Sequence, residues 1–384
     1  MRKVRLLFLF IALGLCKLLG AQRQLMENIH ASLDREVEET SGLALDRKGR
    51  LITINDGGAG AILYFLDSLS GKVVHRQSLT HAVNVDWEEL AMDEKGNLFV
   101  GDFGNNLNMR RDLCIYKVQA SNLGAKAAEV EKINIRYAEQ KAFPPRDLKR
   151  WHFDMEAMLA HNDSLYLFSK NRSKPFNGYT YIYRLPAKAG DYVLERFDSL
   201  FLGDSWNQEF WVTAADYDRS RKRVGLLSYH RLFLIENWSG GKFSNKPLHA
   251  YRTPNLRQRE AVLFDRNTIW VSEEGDFRYR THLLKFVLEA DTLVVLNPVF
   301  EDELRLKGFV GDSCYLAFEL FNQLGMRIKS GMDKKAVHGR FMQRYDFADV
   351  PPGKYVLHLM CGEEKRAFRI EKPRKTNGAD GQKP

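Results

Sequence analysis

Acidic residues recur in this chain where a short strand begins. Glu88 in Asp86-Trp87-Glu88-Glu89-Leu90-Ala91, Glu156 in Asp154-Met155-Glu156-Ala157-Met158 and Glu260 in Glu260-Ala261-Val262-Leu263 align at one position of a repeated unit, with Ser41 and Thr213 in two further copies. A second strand follows in each copy and ends on a polar residue: Asn55, Asp102, Lys170, Tyr229 or Glu273. If the first strands share an axis, these side chains ring its mouth. Carboxylates and amide oxygens in that number suit a hard cation, since Ca²⁺ takes six to eight oxygen ligands. The expected ligands are Glu88, Asp102, Asn105, Glu156 and Glu260. Crowding would raise some carboxyl pKa values, with Lys170 offsetting part of the rise. Glu88 and Glu156 are also the candidate catalytic pair, an acid and a base of the glycosidase kind. The plainer alternative is that each acid bonds backbone amides within its own unit.

Polar segments follow the second strands: Gly104-Asn105-Asn106-Leu107-Asn108-Met109-Arg110-Arg111, Lys170-Asn171-Arg172 and Glu274-Gly275-Asp276-Phe277-Arg278. They read as loops on one face, where scaffold proteins recruit ligands. Arg110, Lys170, Arg172 and Arg278 suit an anionic or glycan ligand carrying phosphate, sulfate or a sugar acid. His152, Asp154 and Glu156 share one face of a strand, a spacing open to a metal and equally to a solvent face. His230 has the chemistry of a general base, but no Gly-x-Ser-x-Gly elbow accompanies it. Cys114, set in Leu113-Cys114-Ile115-Tyr116, reads as a small buried hydrophobe.

The elements that must position these groups are strands. Period-2 alternation dominates residues 22–292, as in Ala61-Ile62-Leu63-Tyr64-Phe65-Leu66, and turns such as Asp93-Glu94-Lys95-Gly96-Asn97 punctuate it. Repetition of short-strand units at this spacing is the signature of a β-propeller. Five copies predict a five-bladed ring. A sixth, degenerate blade stays open, unless the segment 25–39 supplies the outer strand of the last blade.

The 384-residue chain opens with Arg2, Lys3 and Arg5, an apolar run and Leu19-Gly20-Ala21, which predicts a Sec signal peptide over 1–21. No later stretch is apolar enough to span a bilayer. Of the formal charge of +9, four charges sit on Arg2, Lys3, Arg5 and Lys17, leaving +5 on the mature chain. No stripe of cations interleaved with aromatics argues for nucleic acid. Residues 293–372 read as a small antiparallel β-sandwich in which Cys314 and Cys361 could pair, and 373–384 as a disordered tail.

Two resemblances add to this. Leu296-Asn297-Pro298, the strand running into Asn322-Gln323-Leu324-Gly325, and Val350-Pro351-Pro352-Gly353-Lys354-Tyr355-Val356-Leu357-His358-Leu359 resemble, in that order, the C-terminal sorting domain of the type IX secretion system of Bacteroidota. The extra tail departs from that pattern. The resemblance implies Sec export, engagement of the type IX machinery, and release or display at the outer-membrane surface. Ser41-Gly42-Leu43-Ala44, Asn55-Asp56-Gly57 and Gly101-Asp102-Phe103-Gly104-Asn105-Asn106 look like exported propellers of the SdiA-regulated and phytase-like esterase type. That likeness does not choose an activity. The reading is an exported propeller that binds a ligand at an acidic mouth with Ca²⁺; the alternative is a metal-assisted hydrolase of phosphate or carboxylic esters.

Overall fold

The computed structural model describes residues 23–253, 255, 257–266, 268–275, 280–287, 292–361 and 364–373. The expected signal peptide and almost all of the tail lie outside the described residues. The chain divides into two compact units, one spanning Gln24–Val287 and the other containing Leu288–Pro384.

In the first unit the described residues form five antiparallel meanders, each beginning with an innermost strand: Thr40–Leu45, Trp87–Met92, Met155–His161, Ala214–Asp218 and Arg259–Asp265. Each innermost strand lies beside that of the next meander, and the fifth lies beside the first, so the five close into a ring. This is a β-propeller. Met26–Ser32 pairs with His282–Val287 and completes the last sheet from the N-terminal side, the role expected for the segment 25–39.

Local chemistry explains the meanders. Asp46 Oδ1 accepts the Lys48 and Arg50 amides at 2.8 and 2.9 Å, and Asp93 Oδ1 accepts those of Lys95 and Asn97 at 2.9 and 2.8 Å. Each aspartate thereby folds the hairpin joining its first and second strands. Because successive side chains alternate in direction, each sheet offers apolar residues to both neighbours. Phe99, Phe103 and Ile133 of the second sheet pack with Met155, Leu167 and Tyr183 of the third. Phe168 and Tyr166 of the third pack with Phe233, Trp238 and Phe243 near the fourth, where the Trp238 and Phe243 rings stack at 4.7 Å. Leu43 and Tyr64 of the first meet Trp270 and Leu283 of the fifth. Burying each such side chain contributes about 1.5–3 kcal/mol, and the sum holds the ring shut.

Around the hub the strands are tied by polar side chains. Ser41 Oγ donates to Glu88 O at 2.5 Å, Thr213 Oγ1 donates to Arg259 O at 2.5 Å, and Asp216 Oδ2 accepts the Phe264 amide at 2.7 Å. Glu89 reaches across the ring, accepting the Ala215 amide at 2.8 Å. Arg219 donates to Met92 O at 2.7 Å and Ala160 O at 3.3 Å, gripping the far ends of two innermost strands.

The second unit holds a three-stranded and a four-stranded antiparallel sheet. Phe300, Leu304, Phe318, Tyr345, Phe347, Leu357 and Leu359 fill the core between them. Cys314 and Cys361 form a disulfide. The described fold is therefore all-β, a propeller followed by an antiparallel sandwich, as the repeat and turn spacing predict. Among the described residues no helix is long and apolar enough to cross a membrane.

Gly42 has φ of 62°, and a Cβ there would collide with the Leu90 amide nitrogen of the neighbouring innermost strand. Gly42→Ala should therefore lower stability by about 2 kcal/mol or more, through strain and a forced separation of two blades. Thermal denaturation checks this; an unchanged melting temperature would mean the first and second blades are not this close.

Candidate functional site

Four of the five innermost strands carry a bulge near their start. The register with the second strand slips between Ser41 and Leu43, Trp87 and Glu89, Met155 and Ala157, and Arg259 and Ala261. The extra residues are Gly42, Glu88, Glu156 and Glu260. A bulge leaves its extra residue unpaired and redirects its side chain, and here it turns three glutamates toward a common centre. The bulge also corrects the alignment, because the first-blade equivalent of Glu88 is Gly42, not Ser41. In the second strands the same slip makes Glu274, not Glu273, the counterpart of Lys170.

The centre is buried and densely charged. Glu88, Glu156, Glu260 and Lys170 are each 5 % exposed or less. Lys170 Nζ pairs with Glu156 Oε2 at 2.7 Å and lies 5.2 Å from the centroid of the Tyr229 ring. Arg172 Nε holds Asp154 Oδ2 at 2.6 Å, and its Nη2 reaches Glu156 Oε1 at 3.2 Å. Beside this pair lie Asp56, Asp86 and Glu88, whose ligand oxygens are all within 4.8 Å of one another. Two glycines make room for them. A Cβ at Gly57 would sit 2.6 Å from Asp86 Oδ1, and one at Gly104 would overlap Glu88 Oε1 and Asp86 Oδ2.

Burial and mutual repulsion push these carboxyls up. Loss of water is the larger cause for Asp86, raised to about 6, and the charges of Asp56 and Asp154 add to it. Glu274 rises to about 9 by burial and then by Glu260. Glu88 is raised by burial, then by Glu156, Asp56 and Asp86. Glu156 and Glu260 are raised by burial against the pull of Lys170. The same carboxylates hold the Lys170 ammonium well above its ordinary value despite its burial.

The sequence-derived candidates divide into two groups. Glu88, Glu156, Glu260, Lys170, Tyr229 and Arg172 are brought together at the centre. Others are already bound by nearby backbone and side chains. Asp102 accepts the Asp86 amide at 3.1 Å and Arg110 Nη2 at 2.9 Å. Asn105 Nδ2 donates to Phe153 O at 3.1 Å and its Oδ1 accepts the Arg110 amide at 2.9 Å. Neither belongs to the carboxylate triad, because Arg110 and the loop backbone already occupy their oxygens. Asn55 Nδ2 donates to Glu36 O at 2.7 Å, and Glu273 receives His282 Nδ1 at 2.8 Å. Arg278 lies outside the described residues. The His152 ring packs tilted against Tyr181, centroids 4.5 Å apart, and burial lowers its pKa to about 4. The Cys114 thiol is buried and raised to about 11. Asp56, Asp86 and Glu274 are the members that repeat alignment missed. Only the pairing of acids with Gly57 and Gly104 signalled the first two.

No protein-family model and no curated protein matches the chain. Among solved structures it is similar to PorZ, a surface component of the type IX secretion system of Porphyromonas gingivalis, at 12 % identity over 87 % of this chain and with a TM-score of 0.33; it spans 45 % of PorZ. It is also similar to XC5397, a gluconolactonase of Xanthomonas campestris, at 14 % identity over 65 % of this chain and 72 % of that one, TM-score 0.39. The PQQ-bound aldose sugar dehydrogenase of Streptomyces coelicolor matches at 10 % identity over 69 % and 99 %, TM-score 0.39. At these scores the likeness is loose, and the propeller assignment rests on the sheets themselves.

Two outcomes follow from the charges. Asp86 and Glu274 have folded pKa values above their unfolded ones, so the folded chain binds more protons. Their contribution is complete below the unfolded values and is lost as pH rises, for Asp86 between about 4 and 6 and for Glu274 between about 4.5 and 9. Melting temperature in EDTA should fall across that span; a rise would contradict the burial of both groups. Second, Lys170→Met leaves Glu156 buried with only a weak Arg172 contact and should cost about 3–5 kcal/mol. Adding Glu156→Gln should restore much of the loss, a coupling that a double-mutant cycle measures.

Proposed function

We propose that this protein is an exported β-propeller whose acidic hub holds a divalent cation, Ca²⁺ by its ligand chemistry, and through it an anionic or glycan ligand. The observation that carries the reading is the triad of Asp56, Asp86 and Glu88, with oxygens within 4.8 Å of one another. Oxygens on opposite sides of one Ca²⁺ lie about 4.8 Å apart, given metal–oxygen distances near 2.4 Å. Three carboxylates against one neighbouring ammonium leave negative charge that a cation would neutralise, and the glycine cradle keeps them close. Arg172 and Lys170 stand beside them to receive an anionic ligand. The sandwich is read as a type IX sorting domain, which supplies the secretion machinery as partner and the surface or medium as destination. Its support is the Asn-Pro opening, the Asn322–Gly325 turn and the Pro/Gly turn before Tyr355.

A second reading, a metal-assisted ester hydrolase, is favoured by one feature: Glu274 keeps its proton to about pH 9 beside the triad and can donate it to a leaving group. Turnover on phosphate and carboxylic ester panels, abolished by Glu88→Gln, would select it.

Millimolar Ca²⁺ should raise the melting temperature, more at pH 8 than at pH 5, because protons compete for the same oxygens. Asp86→Asn and Glu88→Gln should remove the shift. A parent protein indifferent to Ca²⁺ at pH 8 would eliminate the cation site.

A further inference from the structure

Outside the hub, the flank of the second blade carries a cavity of about 460 Å³ lined by Arg110, Arg111, Arg136 and Lys141 and by no carboxylate. Its volume lies in the range of small-ligand pockets. The charges are not equivalent. Arg110 is committed to Asp102, to Gly104 O at 2.9 Å and to Asp112 at 3.1 Å. Arg111, Arg136 and Lys141 are exposed. Arg111 lies over the Phe143 ring, 4.1 Å from its centroid, so its guanidinium is held in place without its charge being neutralised.

Among the other lining residues Val193 and Phe143 offer apolar surface, while Leu113 and Ile135 are buried in the core behind and Gln140 is polar. Val193, on a strand that pairs parallel with Glu131–Tyr137, is 51 % exposed. Tyr137 also borders the cavity, but its ring packs into the core on Phe153 and Tyr183 and its hydroxyl is buried there. Cations on one side and exposed apolar side chains on the other describe a ligand with two unlike ends.

We propose that this cavity is a second binding site, distinct from the acidic hub, for a small organic phosphate monoester whose ring lies on Val193 and Phe143 and whose phosphate is held by Arg111, Arg136 and Lys141. Guanidinium groups match phosphate oxygens in pairs, and the ring supplies affinity that a bare anion lacks.

Calorimetric titration of the full chain with phenyl phosphate in EDTA tests this. One saturable site is expected, with inorganic phosphate and phenol each bound at least tenfold more weakly. Arg136→Glu and Lys141→Glu, at exposed positions that leave melting unchanged, should each weaken binding tenfold or more, and Val193→Asp should do the same from the apolar side. The site is overturned by absence of saturable binding, by charge reversals without effect, or by inorganic phosphate binding as tightly as phenyl phosphate. Binding that requires Ca²⁺ would overturn it too, since that would move the ligand to the hub.

Discussion

Everything at the hub depends on how buried carboxyls coexist around one axis. Removing a carboxylate from water is costly, and placing several within a few ångströms adds repulsion. The protein meets that cost with one ammonium and one guanidinium, Lys170 on Glu156 and Arg172 on Asp154 and Glu156. The remaining carboxyls are pushed toward their protonated forms, Glu274 to a pKa of about 9 and, within the Asp56, Asp86 and Glu88 triad, Asp86 to about 6. An arrangement selected for stability alone would place apolar residues here. The concentration of carboxyl oxygens is what makes the hub the candidate site.

The ring makes that arrangement possible. Apolar packing between sheets fixes their spacing, and the hydroxyl ties from Ser41 and Thr213 link neighbouring innermost strands. Glu89 on the Ala215 amide spans the ring and Arg219 grips strand ends, so the innermost strands are tied both across the hub and at their far ends. Bulges near the strand starts do the aiming. Without them, strict alternation would send Glu88, Glu156 and Glu260 into the inter-sheet faces, where Trp87, Met155 and Ala157 now pack.

The same residue type serves different ends according to its surroundings. Asp102 and Asp86 lie sixteen residues apart and are in hydrogen-bond contact, yet Asp102 is taken by Arg110 and Asp86 joins the triad. Arg110 is in turn fixed between Asp102, Gly104 and Asp112, which leaves the neighbouring Arg111 as the cation that opens onto the flank of the blade.

Repetition of short strands, turn aspartates such as Asp46 and Asp93, and glutamates recurring at strand starts were enough to determine an all-β propeller, its following sandwich, and the convergence of Glu88, Glu156, Glu260, Lys170 and Tyr229. These features are local or periodic, and periodicity survives in one dimension. What the fold alone decided was register. A single-residue bulge exchanges Gly42 for Ser41 and Glu274 for Glu273 at the centre, and no spacing rule records it. Asp56 and Asp86 enter because Gly57 and Gly104 let their carboxyls approach, while Asp102 and Asn105 leave because Arg110 and nearby backbone groups reach their oxygens first. Those outcomes are competitions between partners distant along the chain, and only closure of the ring sets the distances that decide them.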